Sequence, residues 1–391
     1  MRWLKRIIFT VIILAVLGLA GFWILGPGIV ERGRNAVAPH DPYPVSDAAR
    51  ALHDSLVVGD LHADSLLWKR DLLERGTRGQ VDIPRLLEGG VAVQVFTAVT
   101  KSPMGQNYDH NSADAYDNIT LLAFGQLWPV RTWQSIYQRA LYQAQKLHQF
   151  EAASDGKLKI IRNTADLDTV LAARADGKQV VGGILGVEGL HPLEGELGNL
   201  DGLYDAGYRV FGLQHFFDNA LGGSLHGESN QGLTEFGRSV VKALAKRAAV
   251  IDVAHSSPQV VSDVLDMVNV PIILSHSGIH SYCPNKRNIP DALMKRIAAG
   301  GGVIGMGYWA EVACDKITPN GIAAMIKAGI AVVGEDHIAL GSDFDGSVAT
   351  AFDTSELPAL TDALLRAGLT PEQIRKVMGA NMLRVLRARL G

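Results

Sequence analysis

An apolar run near the start of the chain ends in residues that could do chemistry. In VVGDLHADSLLW (57–68), the apolar residues lead to His62 and Asp64. A His-x-Asp pair at the end of a strand can hold a metal ion, because imidazole nitrogens and carboxylate oxygens are common metal ligands. The same pair is also typical of a solvated strand end. The ends of the other strands must therefore distinguish the two interpretations.

Several other apolar runs end in the same residue types. These residues are Glu188 in GVEGL, His215 in LQHFFDN, His255 in IDVAH, His276 in ILSHS, and Asp343 and Asp345 in GSDFDG. Neutral imidazoles and carboxylates suit zinc, manganese or cobalt, and the lack of cysteine in the set argues against a structural zinc site. The repetition favours one metal site over a series of separate structural histidines.

The apolar runs alternate with helical patterns, which indicates βα units and a parallel sheet. The predicted strands cover 56–61, 91–99, 180–187, 208–214, 249–253, 271–274, 302–307 and 338–341. Eight such units predict an α/β fold, a (β/α)₈ TIM-like barrel, in which the carboxyl ends of all strands meet on one face. A helical insertion over 112–153 either walls a pocket on that face or is an ordinary outer helix pair.

The candidate ligands are too many for one catalytic ion that keeps an open position, so two ions that share a bridging carboxylate fit better. Glu188 is the natural bridge, because its strand lies between the strand of the His-x-Asp pair and the strands of His255 and His276. Water between two such ions would be acidified toward hydroxide and could attack an amide carbonyl at neutral pH.

Other polar residues on the same face have possible roles in catalysis and substrate binding. Asp343 would lie beside the first strand of a closed barrel, where it could pass a proton to the leaving amine. His215, outside the ligand set, could stabilise the oxyanion. Arg287 and Asn288 follow the sixth predicted strand, and a guanidinium there could bind a substrate carboxylate through two hydrogen bonds. A surface ion pair is the alternative for Arg287.

The N-terminal segment differs from the rest of the 391-residue chain. Basic residues in MRWLKR precede an uncharged, apolar stretch over 7–30. About 20 such residues span a bilayer as a helix, and the basic flank remains in the cytoplasm. We therefore expect the catalytic domain outside the cytoplasm, in the periplasm or the extracellular space. A cleaved signal peptide is the alternative, although its apolar region usually has about 7–15 residues.

The sequence therefore predicts three parts of the chain: a membrane anchor or signal over 1–30, a linker over 31–50, and a catalytic domain over 51–391. The formal net charge of −3 gives no reason to expect a nucleic-acid partner.

Cys283 and Cys314 follow neighbouring predicted strands, and an exported compartment permits a disulfide between them. Two free thiols are the alternative.

The motifs DLHAD, GVEGL, LQHFFDN, PIILSHS, RNIPD and GSDFDG occur in this order. Together they resemble the membrane (renal-type) dipeptidase family of the amidohydrolase superfamily, over about residues 50–390. The resemblance implies a zinc-dependent dipeptidase on a (β/α)₈ barrel, with two zinc ions per chain. The implied metal ligands are His62 and Asp64 for one ion, Glu188 as the bridge, and His255 and His276 for the other.

The resemblance also implies roles for the residues around the metal. His215 would contact the substrate, Arg287 would bind the carboxylate of the dipeptide, and Asp343 would be the acid/base residue. Members of the family are often homodimers, accept a D-residue at the C-terminal position, and in some cases open β-lactam rings. Two departures, HADSL after the first strand and GMGYWAEVAC after the seventh, leave the substrate preference open.

Two other functions remain as alternatives. One is a different binuclear amidohydrolase acting on lactams, lactones or phosphotriesters. Many of these bridge their metals with a carboxylated lysine on the fourth strand, whereas the fourth predicted strand here ends without lysine. The other is a non-catalytic, membrane-tethered zinc-binding receptor. Asp343 argues against the receptor, because it is not needed to hold metal.

Overall fold

The computed structural model describes residues 2–391 and contains a closed barrel of eight parallel strands. The strands in chain order are β1 (Val58–Ala63), β2 (Val91–Val99), β3 (Leu158–Ile160), β4 (Val181–Glu188), β5 (Tyr208–Gly212), β6 (Val250–Asp252), β7 (Ile273–Ser277), β8 (Val303–Met306) and β9 (Ile338–Leu340). All eight predicted strands are confirmed, and pairing of β2 with β4 closes the barrel. The additional strand, β3, pairs with the start of β4. Its three residues are too short to show a periodic pattern.

Helices surround this barrel and connect its strands. They are α1 (Arg2–Arg34), α2 (Asp47–Asp54), α3 (Ile83–Glu88), α4 (Asn118–Gly125), α5 (Arg131–Gln134), α6 (Ile136–Ala153), α7 (Thr164–Ala175), α8 (Asn199–Asp205), α9 (Glu235–Ala245), α10 (Pro258–Met267), α11 (Asp291–Ala299), α12 (Ala310–Ala313), α13 (Pro319–Val333), α14 (Leu357–Arg366), α15 (Pro371–Arg375) and α16 (Asn381–Leu390). Capping side chains start several of them: Thr234 accepts a hydrogen bond from Gly237 N at 3.0 Å. Such a cap is typically worth about 1 kcal/mol.

The amino-terminal end of the barrel is covered by α16. This helix contacts β1, β6, β8 and β9, and Met382, Val385 and Leu386 share one buried apolar cluster with Leu61 and Val93. Burial of these side chains closes that end of the barrel to solvent. The carboxyl ends of the strands on the opposite face are therefore the ends available for a site, as in other barrels of this kind.

The predicted insertion over 112–153 forms α4, α5 and α6 after β2. Arg139 of α6 is buried and pairs with Asp117, the residue that caps α4. Ile119 of α4 reaches the cleft at the carboxyl ends of the strands. The insertion thus forms a wall beside this cleft.

The helix α1 is long and apolar enough to cross a membrane. Its last turns and the residues after it lie against the barrel. Glu31 is 1% exposed, Ala36 O accepts a hydrogen bond from Thr350 N at 3.0 Å, and Ala38 N donates to Thr350 O at 2.8 Å. The first part of the 31–50 segment, which the sequence predicts to be a linker, is therefore bonded to the loop after β9.

Candidate metal centre

The carboxylate of Glu188, the last residue of β4, is the meeting point of four histidines. Its Oε1 lies 3.1 Å from His255 Nε2, 3.3 Å from His276 Nε2 and 3.5 Å from His62 Nε2. Its Oε2 lies 3.2 Å from His215 Nε2. All five side chains are buried. Strand ends that are up to about 200 residues apart in the chain thus place their side chains around one point, as the barrel geometry predicts.

Two further carboxylates complete the cluster on the side of β1. His62 Nε2 lies 3.5 Å from Asp64 Oδ1 and 3.8 Å from Asp343 Oδ1. Asp64 N donates a hydrogen bond to Phe344 O at 2.9 Å, which joins the loop after β1 to the loop after β9. The potential ligand atoms form three overlapping groups, each within 4.8 Å: His62 with His276 and Asp343, Glu188 with His215 and His255, and His62 with Asp64 and Glu188.

The backbone is strained at two of these residues. His255 and Asp343 have φ values of 61° and 60°, in the left-handed region that residues other than glycine rarely adopt. Each such residue costs about 1 kcal/mol or more, and such strain is concentrated at functional sites. At both positions the turn directs a polar side chain into the cluster.

The positions of the ring nitrogens fit a metal ion. His255 Nε2 and His276 Nε2 lie only 3.0 Å apart, and both face the same oxygen of Glu188. On His276, Nδ1 lies 2.8 Å from Ser275 Oγ. His62 Nε2 is buried and has no hydrogen-bond partner among the residues that the structure describes. A cation between these nitrogens and the oxygen of Glu188 would accept their lone pairs, which otherwise face one another.

Burial changes the protonation of the cluster. Burial lowers the pKa of His255 and of His276 well below the ordinary value, so both imidazoles are neutral, the form that binds metal. Burial also raises the pKa of Glu188 well above its usual range, and raises that of Asp343 to about 8. For His62, burial lowers the pKa, but the carboxylates of Glu188 and Asp64 outweigh it and raise the pKa to about 10. A divalent cation would stabilise the ionised carboxylates in this buried site.

The guanidinium of Arg287 lies beside the cluster and is fully buried. Its Nη2 donates a hydrogen bond to His276 O at 2.8 Å, whereas Nε and Nη1 have no hydrogen-bond partner among the described residues. The ring of Trp309 packs near it, with the ring centroid 5.4 Å from Cζ. Among residues 2–391, Arg287 has no ion-pair partner and is not at the surface, unlike in the alternative that the sequence leaves open. Two N–H groups remain available for a planar anion such as a carboxylate.

Asn288 has a different environment from its neighbour. Its Oδ1 accepts a hydrogen bond from Gly278 N at 2.7 Å, and its Nδ2 donates to Cys283 O at 2.9 Å and to Val312 O at 3.1 Å. Because these bonds occupy the side-chain amide, Asn288 holds the loop after β7 in shape. That it also contacts substrate stays a prediction.

A cleft of about 70 Å³ opens over the cluster. Asp64, Glu188, His215, His255, Arg287 and Asp343 line it, together with residues that the sequence did not single out: Leu67, Val99, Ser102, Gln106, Tyr108, Ile119, Phe216, Gly346 and Ser347. Trp309 also lines the cleft, and its Nε1 donates to Tyr108 Oη at 3.0 Å. Tyr308, in contrast, is buried against Phe344 and Phe352. This small volume suits a small substrate.

Ser102, Gln106 and Tyr108 belong to the irregular loop between β2 and α4, which has no periodic pattern to identify it. His226 is a further histidine that the sequence reasoning missed. It lies in the loop after β5, and its Nδ1 is 2.9 Å from Tyr108 O. Its ring stacks on Phe216, with the ring centroids 5.1 Å apart. Only the proximity of these loops to the candidate metal ligands identifies them as part of the site.

Cys283 and Cys314 form the predicted disulfide, with their Cα atoms 5.6 Å apart. The bond joins the loop after β7, which carries Arg287, to the segment after β8 that carries Trp309. The cross-link therefore limits the relative movement of two residues that line the cleft.

Comparisons with known proteins agree with this architecture. Residues 46–389 match the sequence model of membrane dipeptidase, peptidase family M19. Dipeptidase tcpJ of Claviceps purpurea (strain 20.1) is 28% identical over 318 residues, which cover 79% of this chain and 69% of that protein. Among solved structures, dipeptidase AC, a metallopeptidase of family M19, has a TM-score of 0.72 at 24% identity and covers 86% of this chain and 99% of its own.

A second solved structure is the metallopeptidase of Rhodobacter sphaeroides liganded with a phosphinate mimic of the dipeptide L-Ala-D-Ala. It has a TM-score of 0.67 at 24% identity, and the alignment covers 85% of this chain and 99% of that chain. At this level of identity the two solved structures show a common fold.

Proposed function

The chain belongs to the membrane dipeptidase family, peptidase family M19, and we propose that it is a two-zinc enzyme that hydrolyses dipeptides with a free carboxylate. That it is a metal-dependent dipeptidase follows from the family. One arrangement supports the proposal of a two-zinc site and a substrate with a free carboxylate. Histidine nitrogens face Glu188 on one side of a small cleft, and the unpaired N–H groups of Arg287 lie beside them.

We assign the metal ligands as the resemblance to the family implies them, and the potential ligand atoms lie in overlapping groups within 4.8 Å. His62 and Asp64 would hold one ion, His255 and His276 the other, and Glu188 would bridge the two. When bound, zinc supplies Lewis acidity, which lowers the pKa of water and polarises a peptide carbonyl. Zinc is favoured because the donors are imidazoles and carboxylates, although manganese and cobalt accept the same donors.

The remaining residues would bind and orient the substrate. Arg287 would bind the C-terminal carboxylate through Nε and Nη1, which fixes the peptide bond relative to the metal cluster. His215 Nε2 lies at the edge of the cluster, 3.2 Å from Glu188 Oε2. Its Nδ1 donates to Lys101 O at 3.2 Å, so a neutral ring has no proton on Nε2. His215 would therefore stabilise the oxyanion in its doubly protonated form, in which the Nε2–H donates to the carbonyl oxygen as charge develops on it.

Asp343 would transfer the proton to the leaving amine. Its carboxylate lines the cleft, with Oδ1 3.8 Å from His62 Nε2. No hydrogen bond from a described residue holds its side-chain oxygens, so they remain available to a substrate group. Proton transfer of this kind requires a carboxyl group within hydrogen-bond reach of the amine.

We also propose that substrates include dipeptides with a C-terminal D-residue, and that the chain forms homodimers. The phosphinate mimic of L-Ala-D-Ala bound to the Rhodobacter sphaeroides metallopeptidase supports the first of these proposals. A comparison of L-Ala-L-Ala with L-Ala-D-Ala as substrates tests it, and light scattering of the detergent-solubilised protein tests the dimer.

The helix α1 would remain attached as a single membrane anchor, with the catalytic domain outside the cytoplasm. The small-x-small sequence at 36–38 is the candidate signal cleavage site. Cleavage there would remove Glu31, which is buried between two arginines, and Asn35, whose Oδ1 accepts a hydrogen bond from Ser347 N at 2.9 Å. Membrane association that resists carbonate extraction, with an intact N-terminus, is the expected result. A shorter soluble product would favour the cleaved signal.

The decisive experiment uses the full chain purified in detergent. Metal analysis is expected to find two ions per chain, and the enzyme is expected to cleave L,L- and L,D-dipeptides but neither tripeptides nor C-terminally amidated dipeptides. Equal cleavage of free and amidated dipeptides would contradict the carboxylate-binding role of Arg287. It would favour a broader amide hydrolase.

A further inference from the structure

The exposed apolar side chains of the catalytic domain are concentrated beside one helix. Outside α1, the most exposed large apolar residues are Val57, Leu197 and six residues between 104 and 130: Met104, Tyr116, Leu121, Phe124, Leu127 and Val130. From 118 to 130 the chain has no charged residue. We call Leu121, Phe124, Leu127 and Val130 the α4 apolar surface. A concentration of this kind marks a contact with another apolar phase or molecule.

The α4 apolar surface is continuous with the membrane helix. The ring of Phe124 packs edge-on against the ring of Trp23 in α1, with the centroids 5.8 Å apart. Phe22 lies over Gly125, where a Cβ atom would come within 3.4 Å of its ring. These contacts place α4 beside the segment 22–26 of α1.

The length of α1 shows at which depth this contact lies. Trp3 and Trp23 are 20 residues apart in one helix, so they are separated by about 30 Å along the axis, the thickness of the hydrocarbon core. Tryptophan is enriched at both boundaries of this core. With Trp3 at one boundary and Trp23 at the other, α4 lies at the boundary from which α1 emerges.

Cationic side chains lie where lipid phosphates would be. Exposed Lys69 lies close to α1, its Nζ 3.5 Å from Trp23 O, and exposed Arg131 follows Val130 directly. Long basic side chains beside apolar surface are typical of proteins at the membrane interface.

We propose that the α4 apolar surface is a second membrane contact, which inserts into the interface of the leaflet from which α1 emerges. The partner is therefore a phospholipid bilayer. A groove of about 590 Å³ between α1 and α4 shares Ser102, Gln106 and Ile119 with the metal-site cleft. The membrane contact consequently holds the mouth of the cleft against the bilayer. The inference rests on the proposed anchoring by α1.

The disulfide leaves no free cysteine among the described residues, so a single introduced cysteine can be labelled selectively. Full-length Leu127→Cys and Val130→Cys variants, labelled with an environment-sensitive nitrobenzoxadiazole dye, would be placed in phosphatidylcholine/phosphatidylglycerol nanodiscs. Leu14→Cys in α1 is the positive control. Val57→Cys, just before β1 at the opposite end of the barrel, is the control for an exposed apolar position.

We expect a blue shift of dye emission at 127 and 130, and quenching there by lipids that carry a nitroxide near the headgroup. The dye at 14, midway along α1, should be quenched by lipids that carry the nitroxide near the end of the acyl chain. The dye at 57 should show neither effect. Quenching at 14 without quenching at 127 and 130 would overturn the membrane contact while leaving the anchor intact. A blue shift at 127 without lipid quenching would mean that a protein or a second copy covers the surface, which also overturns it.

Absence of quenching at 14 would instead contradict the anchor itself, and with it the inference. Each labelled variant is first compared with the wild type by circular dichroism and thermal unfolding, which show that it is folded. Inactivity of the unlabelled wild type would contradict the proposed function without changing the fluorescence result.

Discussion

Glu31 at the end of α1 and Arg70 in the loop after β1 form a buried ion pair, with Oε1 2.7 Å from Nε. Arg78 binds the other carboxylate oxygen at 2.6 Å. Arg70 also pairs with Asp345, whose backbone N donates to Gln80 Oε1 at 2.6 Å. Asp345 is two residues beyond Asp343, so α1 is connected through charged groups to the loop that would transfer the proton.

Replacement of Glu31 by glutamine is expected to lower the free energy of unfolding by about 3 kcal/mol, because it removes a buried carboxylate that pairs with two arginines and leaves Arg70 with Asp345 alone as its counter-charge. Thermal unfolding of the full chain in detergent measures the change. The matched control is Glu88→Gln, which breaks the ion pair with Arg75, where both side chains are about half exposed. This control should cost less than about 1 kcal/mol. Equal losses in the two variants would show that the Glu31 pair does not stabilise the docked helix.

The bridge assignment predicts different metal contents for two variants. Glu188→Gln should lose both ions, since this carboxylate would contact each of them, whereas His276→Ala should weaken mainly one. Plasma mass spectrometry of the purified proteins measures the ratio of metal to chain. One ion or fewer in an active wild type would refute the binuclear site.

Asp343→Asn separates proton transfer from metal binding. If Asp343 transfers a proton, kcat should fall by about 10²–10⁴-fold, the usual contribution of a general acid or base. Metal content and melting temperature should remain those of the wild type. A parallel loss of metal would instead place Asp343 among the ligands.

Arg287→Lys keeps the positive charge but removes the planar pair of N–H groups. We expect KM for free dipeptides to rise by about tenfold, which corresponds to about 1.4 kcal/mol, with a smaller effect on kcat. Any residual hydrolysis of a C-terminally amidated dipeptide should be much less affected, because this substrate has no carboxylate to lose contact with. An equal change for both substrates would argue against carboxylate binding.

His53, which lies in α2, should make stability depend on pH. Its Nε2 lies 3.0 Å from Gly89 O and its Nδ1 2.8 Å from Thr361 Oγ1. Burial lowers its pKa in the folded state, so below about pH 6.5 the unfolded chain binds more protons than the folded chain. Stability should therefore fall as the pH drops below about 6.5.

The melting temperature of the metal-loaded protein at pH 5.5 and pH 7.5 measures this effect. His53→Gln should reduce the difference between the two values, although the variant itself is less stable. His110→Gln, at an exposed position, should keep the wild-type difference. An unchanged difference in His53→Gln would assign the pH dependence to other buried histidines.

The sequence by itself determined the barrel and brought together the residues of the candidate metal centre. Eight apolar runs alternate with helices, and parallel strands in a closed barrel must bring their carboxyl ends to one face. His62, His255 and His276 therefore had to lie near one another, whatever the exact path of the loops. They are buried around Glu188 because each lies at or just after the end of a strand. The strand ends can be predicted from the local pattern of apolar residues in the sequence.

The tertiary structure alone decided what the loops contribute. Arg287 is buried with free N–H groups, whereas the amide of Asn288 is used within its loop, although the two residues are adjacent in the sequence. Tyr108 joins the cleft from an irregular loop, and Glu31 reaches arginines about 40 residues away. Such contacts depend on the packing of segments that are far apart in the chain. These segments carry no periodic pattern of apolar residues, so local analysis of the sequence does not predict their contacts.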